Sequence, residues 1–152
     1  MPTDRTTVLV DRYRKAATTA ADANAYKGLR IHALPGLHEF VAGKSLEYFP
    51  AGATVLDLAA GSGALSLRLQ DLGFAVTATD YVPENFRPRT IPFVQADLNA
   101  DFAAAYDNRF QAIVASEIIE HLENPRHFAR QCDRLLAPGG RMVLTTPNIE
   151  NA

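Results

Sequence analysis

The 152-residue sequence predicts an α/β fold, a doubly wound and mainly parallel sheet of about five strands. Three observations lead there. Five short apolar runs alternate with stretches of helical character, the order of βαβ units. The first of them, Val55-Leu56 and Leu58, is apolar enough for a parallel strand buried on both faces. Four runs in succession then end on polar or acidic groups: Asp57, Asp80, Asp97 and Ser116-Glu117. In such sheets ligands bind beyond the carboxyl ends of the strands, at the switch point of the strand order.

The elements follow in order. Asp11 to Ala25 is alanine-rich with Arg12, Arg14 and Lys15, a helix by propensity. Gly28 and Pro35-Gly36 interrupt it. A second helix spans about Leu37 to Tyr48 and stops at Pro50-Ala51-Gly52. Together these make residues 1–49 a helical N-terminal lid region, with Tyr26, His32 and His38 either packing residues or part of a cover over the ligand site. Residues 50–152 form the core of the same single domain. Strand one, with the apolar run Val55, Leu56 and Leu58 and its end at Asp57, leads through Gly61 and Gly63 into a helix carrying Leu65, Leu67, Leu69 and Leu72, which Gly73 stops. Strand two runs from Phe74 to Thr79 and ends at Asp80. Pro83, Pro88 and Pro92 leave room only for a short helix. Strand three is Phe93 to Ala96, ending at Asp97-Leu98, and Asp101 to Tyr106 forms a short helix. Strand four is Ala112 to Ala115. Asn124 caps a helix opened by Pro125, which ends at Pro138-Gly139-Gly140. Strand five is Met142 to Thr146.

Composition narrows the function. The 47% hydrophobic and 21% charged content is that of a soluble globular domain. A formal charge of −2 gives no nucleic-acid surface from charge alone. Cys132 is the only cysteine, so no intrachain disulfide forms and a reducing cytoplasm fits. No apolar run approaches the roughly 20 residues of a membrane span, and Met1 to Val10 has no secretory signal pattern.

The run Gly61-Ser62-Gly63-Ala64-Leu65-Ser66 is a nucleotide-binding turn aimed at a helix N-terminus. It departs from the dinucleotide pattern, which places Gly or Ala where Ser66 stands. Asp57, four residues before Gly61, is not part of that pattern either. A ligand with an adenosine and an amino-acid end, without phosphate, suits it better than a nicotinamide cofactor.

At this point the chain resembles a family. Val55-Leu56-Asp57-Leu58-Ala59-Ala60-Gly61-Ser62-Gly63 is similar to motif I of the class I S-adenosylmethionine-dependent methyltransferases. The resemblance continues through Thr79-Asp80, Gln95-Ala96-Asp97-Leu98, Ser116-Glu117-Ile118-Ile119-Glu120-His121-Leu122 and Leu135 to Arg141, into Thr145-Thr146-Pro147-Asn148. The last blocks resemble the subgroup of ubiquinone-biosynthesis O-methyltransferases. This implies a Rossmann-like fold, S-adenosyl-L-methionine as cofactor, S-adenosyl-L-homocysteine as product and a small-molecule methyl acceptor, with oxygen as the methylated atom. It also implies roles. The loop from Ala59 through Gly61, Ser62 and Gly63 packs on the methionine and ribose portion. Asp57 orders that loop and meets the methionine ammonium. Asp80 accepts from the ribose hydroxyls and Asp97 from the adenine amino group, while Tyr81 or Leu98 packs on the base. Ser116 and Glu117 line the methionine end. Ala59 stands where the family has its first motif glycine, which implies a slightly shifted loop.

A hydroxyl acceptor calls for a base, and His121 is the candidate, imidazole being a side chain suited to that work; the alternative is a histidine that only packs or caps. Glu117, Glu120 and His121 would share a face if Glu117 began a helical turn, a pattern resembling metal-dependent RNA 2′-O-methyltransferases. The expectation here is no metal. The family's usual C-terminal strands do not follow Asn148, so strand five is expected to be an open edge that offers a homodimer contact. A non-catalytic S-adenosylmethionine-binding module is the alternative to an enzyme.

Overall fold

A computed structural model describes residues 24–107 and 109–148. A two-stranded antiparallel hairpin comes first, β1 (Ala25–Tyr26) and β2 (Leu29–Arg30). Helix α1 (Leu37–Tyr48) leads into β3 (Thr54–Leu58), followed by α2 (Ala64–Asp71), β4 (Ala75–Asp80) and β5 (Phe93–Gln95). Then come β6 (Phe110–Ser116), α3 (Pro125–Leu135) and β7 (Leu136–Thr145). Single 3-10 turns occupy Pro83–Asn85, Phe102–Ala105 and Ile119–His121.

The five long-range strands pair in the order β5-β4-β3-β6-β7, and every pairing is parallel. The order reverses on either side of β3, so the switch point lies between β3 and β6. Side chains alternate across this sheet as a pleat requires. Val55, Ala112 and Val114 face α1 and α2, together with Val41, Leu65, Leu69 and Phe74. Leu56, Leu58, Ile113 and Ala115 face the other way, onto Phe102, Phe128, Cys132 and Leu135. Two separate cores therefore hold β3 and β6 rigidly from both faces, which fixes the position of whatever their ends carry.

The ends of the elements have local causes. The Asn124 side chain accepts the His127 N–H at 3.0 Å and Pro125 opens α3, as expected. Gly63 precedes α2 with φ 87°. At the base of the sheet, Thr54 N–H donates to Gln111 Oε1 at 3.0 Å and Gln111 N–H to Thr54 Oγ1 at 3.1 Å, which sets the β3–β6 register.

One expectation lies almost wholly outside the described residues, and another is corrected. The helix expected over Asp11–Ala25 lies outside the described residues apart from its last two, and Ala25 is extended. Lys27 at φ 47° and Gly28 at φ 81° reverse the chain so that Ala25-Tyr26 pairs with Leu29-Arg30. The described part of the N-terminal region is thus hairpin, loop and one helix. Strand five begins earlier than Met142. Leu136 already pairs with Phe110, and Pro138-Gly139-Gly140 sits in an irregularity of the ladder before Arg141 pairs with Ala112, a place where an edge strand tolerates proline.

Candidate functional site

The loop after β3 is held from three sides. Ala60 N–H donates to Thr79 O at 2.9 Å and Gly63 N–H to Ala60 O at 2.9 Å. Gly61 N–H donates to Asp80 Oδ2 at 2.8 Å, while Val82 N–H donates to Asp80 Oδ1 at 2.9 Å. Each Asp80 oxygen thereby uses one acceptor direction on the backbone, and a carboxylate has about four. The carboxylate is oriented without being saturated by these two bonds. Ser62 Oγ donates to Arg30 O at 2.5 Å and ties the loop to the hairpin.

Asp57 stands inside β3, one residue before its end, and is 2% exposed. Ser66 Oγ donates to its Oδ2 at 2.5 Å. The residue that breaks the dinucleotide pattern is therefore the partner of the buried acid. Burial pushes the Asp57 carboxyl up to about 7; the Ser66 hydroxyl opposes this and the nearby Asp80 charge adds to it.

Two clefts open at the strand ends, and Ala59 lines both. The first, about 160 Å³, gathers Asp57, Ala59, Gly61, Ser62, Ser116 and Glu117. The second, about 320 Å³, gathers Ala59, Asp80, Tyr81, Asp97, Leu98 and His121. Ten of the eleven residues expected to bind cofactor thus line one cleft or the other. Gly63 does not. A Cβ there would lie 2.5 Å from Pro88 Cδ and 2.7 Å from Phe86 Cε2, so its missing side chain makes room for the loop at 86–88. At Gly61 a Cβ would meet nothing within 4 Å. Of these two glycines, only Gly61 leaves open space beside its Cα.

Two non-glycine residues in the left-handed region mark these walls: Ala59 at φ 61° and Glu117 at φ 55°. Such conformations persist only where the surroundings over-determine them, and they gather at ligand sites. Asp97 follows β5 by two residues rather than ending it, and its carboxylate accepts Asn99 N–H at 2.9 Å. Leu98 is 7% exposed and shares the Phe128 core, whereas Tyr81 is 67% exposed.

His121 faces the second cleft with Asp80 and Asp97, away from Asp57, and its side chain is 71% exposed. Glu117 does not begin a helical turn. Its positive φ keeps it out of the 3-10 turn at Ile119–His121, so Glu117, Glu120 and His121 share no helix face. Among the described residues, no three His, Cys, Asp or Glu side chains converge as a metal site. No helix among the described residues is long and apolar enough to cross a membrane.

The hairpin and the start of α1 supply cleft residues that motif reading misses. Arg30, His32, Ala33 and His38 line the Asp57 cleft. His38 Nδ1 is buried with no hydrogen-bond partner among the described residues. Burial, then the Arg68 charge, lower its pKa to about 4 against the opposing pull of Glu39, so the ring is neutral. The histidines at 32 and 38 flanking Pro35-Gly36 were the available signal, without a way to say which way they face.

A glycine turn after the first strand of a five-stranded parallel sheet, with acids at or near the carboxyl ends of four strands, defines a nucleotide-type binding domain. Comparison with known proteins makes this specific: residues 26–151 match the methyltransferase domain family, and the chain belongs to it. It is 36% identical over 127 residues to a ubiquinone biosynthesis O-methyltransferase of Xanthomonas axonopodis pv. citri (strain 306), covering 78% of this chain and 52% of that protein. It is 34% identical over 105 residues to the enzyme of the same name from Caulobacter vibrioides, covering 64% of this chain and 42% of that protein. The chain spans about half the length of the curated relatives it matches. Among solved structures, a glycopeptide N-methyltransferase, MtfA, in complex with S-adenosyl-L-methionine superposes with a TM-score of 0.60 and 28% identity, over 70% of this chain and 53% of that one.

Proposed function

We propose that this chain binds S-adenosyl-L-methionine across the two clefts and directs its methyl group to an oxygen of a small-molecule acceptor. The observation that carries the reading is Asp80, whose carboxylate is oriented by Gly61 and Val82 N–H while keeping acceptor capacity on the cleft side. The residues fit the group. Gly61 leaves its backbone open, Asp80 suits a pair of ribose hydroxyls, and Asp97 and Tyr81 suit adenine. Asp57, Ser116 and Glu117 suit the amino-acid end. The likeness to ubiquinone biosynthesis O-methyltransferases supports oxygen as the methylated atom.

When bound, the cofactor supplies a methyl group already activated on its sulfonium. The protein's own work is to hold, align and exclude water. Asp57 would hold the ammonium, Asp80 the ribose, and Asp97 with Tyr81 the adenine, with Ala59 in the wall common to both clefts. The hairpin and His38 cover the Asp57 end. His121, exposed at the rim of the second cleft, is the base we assign to a hydroxyl acceptor.

Calorimetric titration with S-adenosyl-L-homocysteine tests the reading. Asp80→Ala should lose about 1–3 kcal/mol of binding, the scale of hydrogen bonds to a charged acceptor. An unchanged affinity would overturn the ribose assignment. Transfer of labelled methyl to a panel of phenols then separates an enzyme from a binding module.

A further inference from the structure

β7 ends against the turn that follows β6, and one residue makes most of the contact. Thr145 is in register with Ser116, and its Oγ1 lies 3.1 Å from Ser116 Oγ. Glu117 N–H is 3.1 Å from Thr145 O and 3.1 Å from Thr145 Oγ1. One step on, Thr146 Oγ1 donates to Glu120 Oε2 at 3.4 Å. The residue so held is the one at φ 55°. A left-handed glutamate has no local reason to stay there, since its Cβ is crowded by its own backbone. A bifurcated bond from its N–H to both oxygens of Thr145 supplies the reason. The turn is also placed where it matters. Glu117 lines the Asp57 cleft, while Ile118, directly after it, and His121, at the end of the following 3-10 turn, line the Asp80 cleft.

We propose that Thr145 is a positioning residue for ligand binding: its hydroxyl and carbonyl fix the left-handed turn at Glu117, and through it the wall shared by both clefts. The proposal rests on the S-adenosylmethionine reading above. It assigns to β7 a role that its motif position, beyond the loops that touch ligand, does not suggest.

Thr145→Val keeps the shape and the carbonyl but removes the hydroxyl, whereas Thr145→Ser keeps the hydroxyl. Titrated with S-adenosyl-L-homocysteine, T145V should bind about three- to tenfold more weakly, the span of one neutral hydrogen bond. T145S should stay within about twofold of the starting chain by the same measure. Equal affinity in T145V overturns the proposal, as does a loss in T145S matching that in T145V, since the hydroxyl that T145S keeps would then not be what sets the affinity. Amide hydrogen exchange on the unaltered chain gives a second readout, independent of whether T145V folds. Saturation with S-adenosyl-L-homocysteine should raise protection at Glu117 N–H, and unchanged protection overturns the proposal. Failure of the unaltered chain to bind S-adenosyl-L-homocysteine at all would overturn the cofactor reading itself, so the two failures are distinguishable.

Discussion

Ala59 carries a side chain at φ 61°, where the Cβ of an L-residue is a burden of about 1–2 kcal/mol. Ala59→Gly should relieve that strain but loosen the unfolded chain by about 0.4–1 kcal/mol. A net stabilisation of about 0.5–1 kcal/mol is expected from urea unfolding. The two motif glycines should separate cleanly. Gly63→Ala meets Pro88 and Phe86 below 3 Å, adding about 1–3 kcal/mol of overpacking to its backbone strain. Gly61→Ala meets nothing, so it should cost less stability and more affinity for S-adenosyl-L-homocysteine. Comparison of unfolding midpoints and titrations for the two variants checks this, and equal destabilisation would contradict it. Asp57 and His38 give opposite pH dependences. The folded chain holds the Asp57 proton more tightly than the unfolded chain, so stability falls as pH rises from the ordinary 3.8 to about 7. The folded chain refuses the His38 proton, so stability falls as pH drops from 6.5 to about 4. The two slopes oppose each other between pH 4 and 6.5. Asp57→Asn removes one of them. Its stability relative to the parent should improve steadily from pH 4 to 7 and level off above, and a constant gap would refute the assignment.

At the scale of elements, the hairpin is joined to the core through α2. Arg68, 3% exposed, bonds Glu39 of α1 at 3.0 Å and lies 4.2 Å from the centre of the Tyr26 ring, while Tyr26 Oη donates to Asp71 at 2.7 Å. Arg68→Met leaves Glu39 without that partner, and removing one member of a buried pair costs about 3–5 kcal/mol. Thermal unfolding should register the loss, and limited proteolysis should cut first between the hairpin and α1. A small shift in both would place the hairpin's anchorage elsewhere. These anchors also explain what the sequence made legible. Strands β3, β4 and β6, α2 and the Asn124 cap are written in local signals, namely apolar runs, Gly61 to Gly63 and Asn-Pro. The acids at 57, 80 and 97 could be placed because strand ends converge at a switch point. The hairpin could not be read, because Ala25 and Tyr26 pair with only two residues and Tyr26 is held by Arg68 and by Asp71, the latter 45 positions away. Thr145 could be placed in a motif block, but its contacts could not be read for the same reason: its partners are 28 and 29 residues distant.

For the whole molecule, β7 has β6 as its one partner among the described strands, and Leu144 is 42% exposed. An unpaired edge of this kind recruits another strand. We expect the 152-residue chain to dimerise with rising concentration, and Leu144→Lys to shift it toward monomer in light scattering. A parent chain that stays monomeric throughout would argue against that contact. The strand order has a further consequence for the history of each chain. During synthesis β3 acquires β4 early, but β6, its other neighbour, emerges more than 50 residues later, the separation seen in the Thr54–Gln111 pair. Closing so long a loop is slow. Until it closes, the Ser116–Glu117 wall does not exist, so the dissolved ligand has only half a surface to recognise. Ligand should therefore leave the folding rate unchanged and slow the unfolding rate, acting on the finished molecule as a brake on its loss.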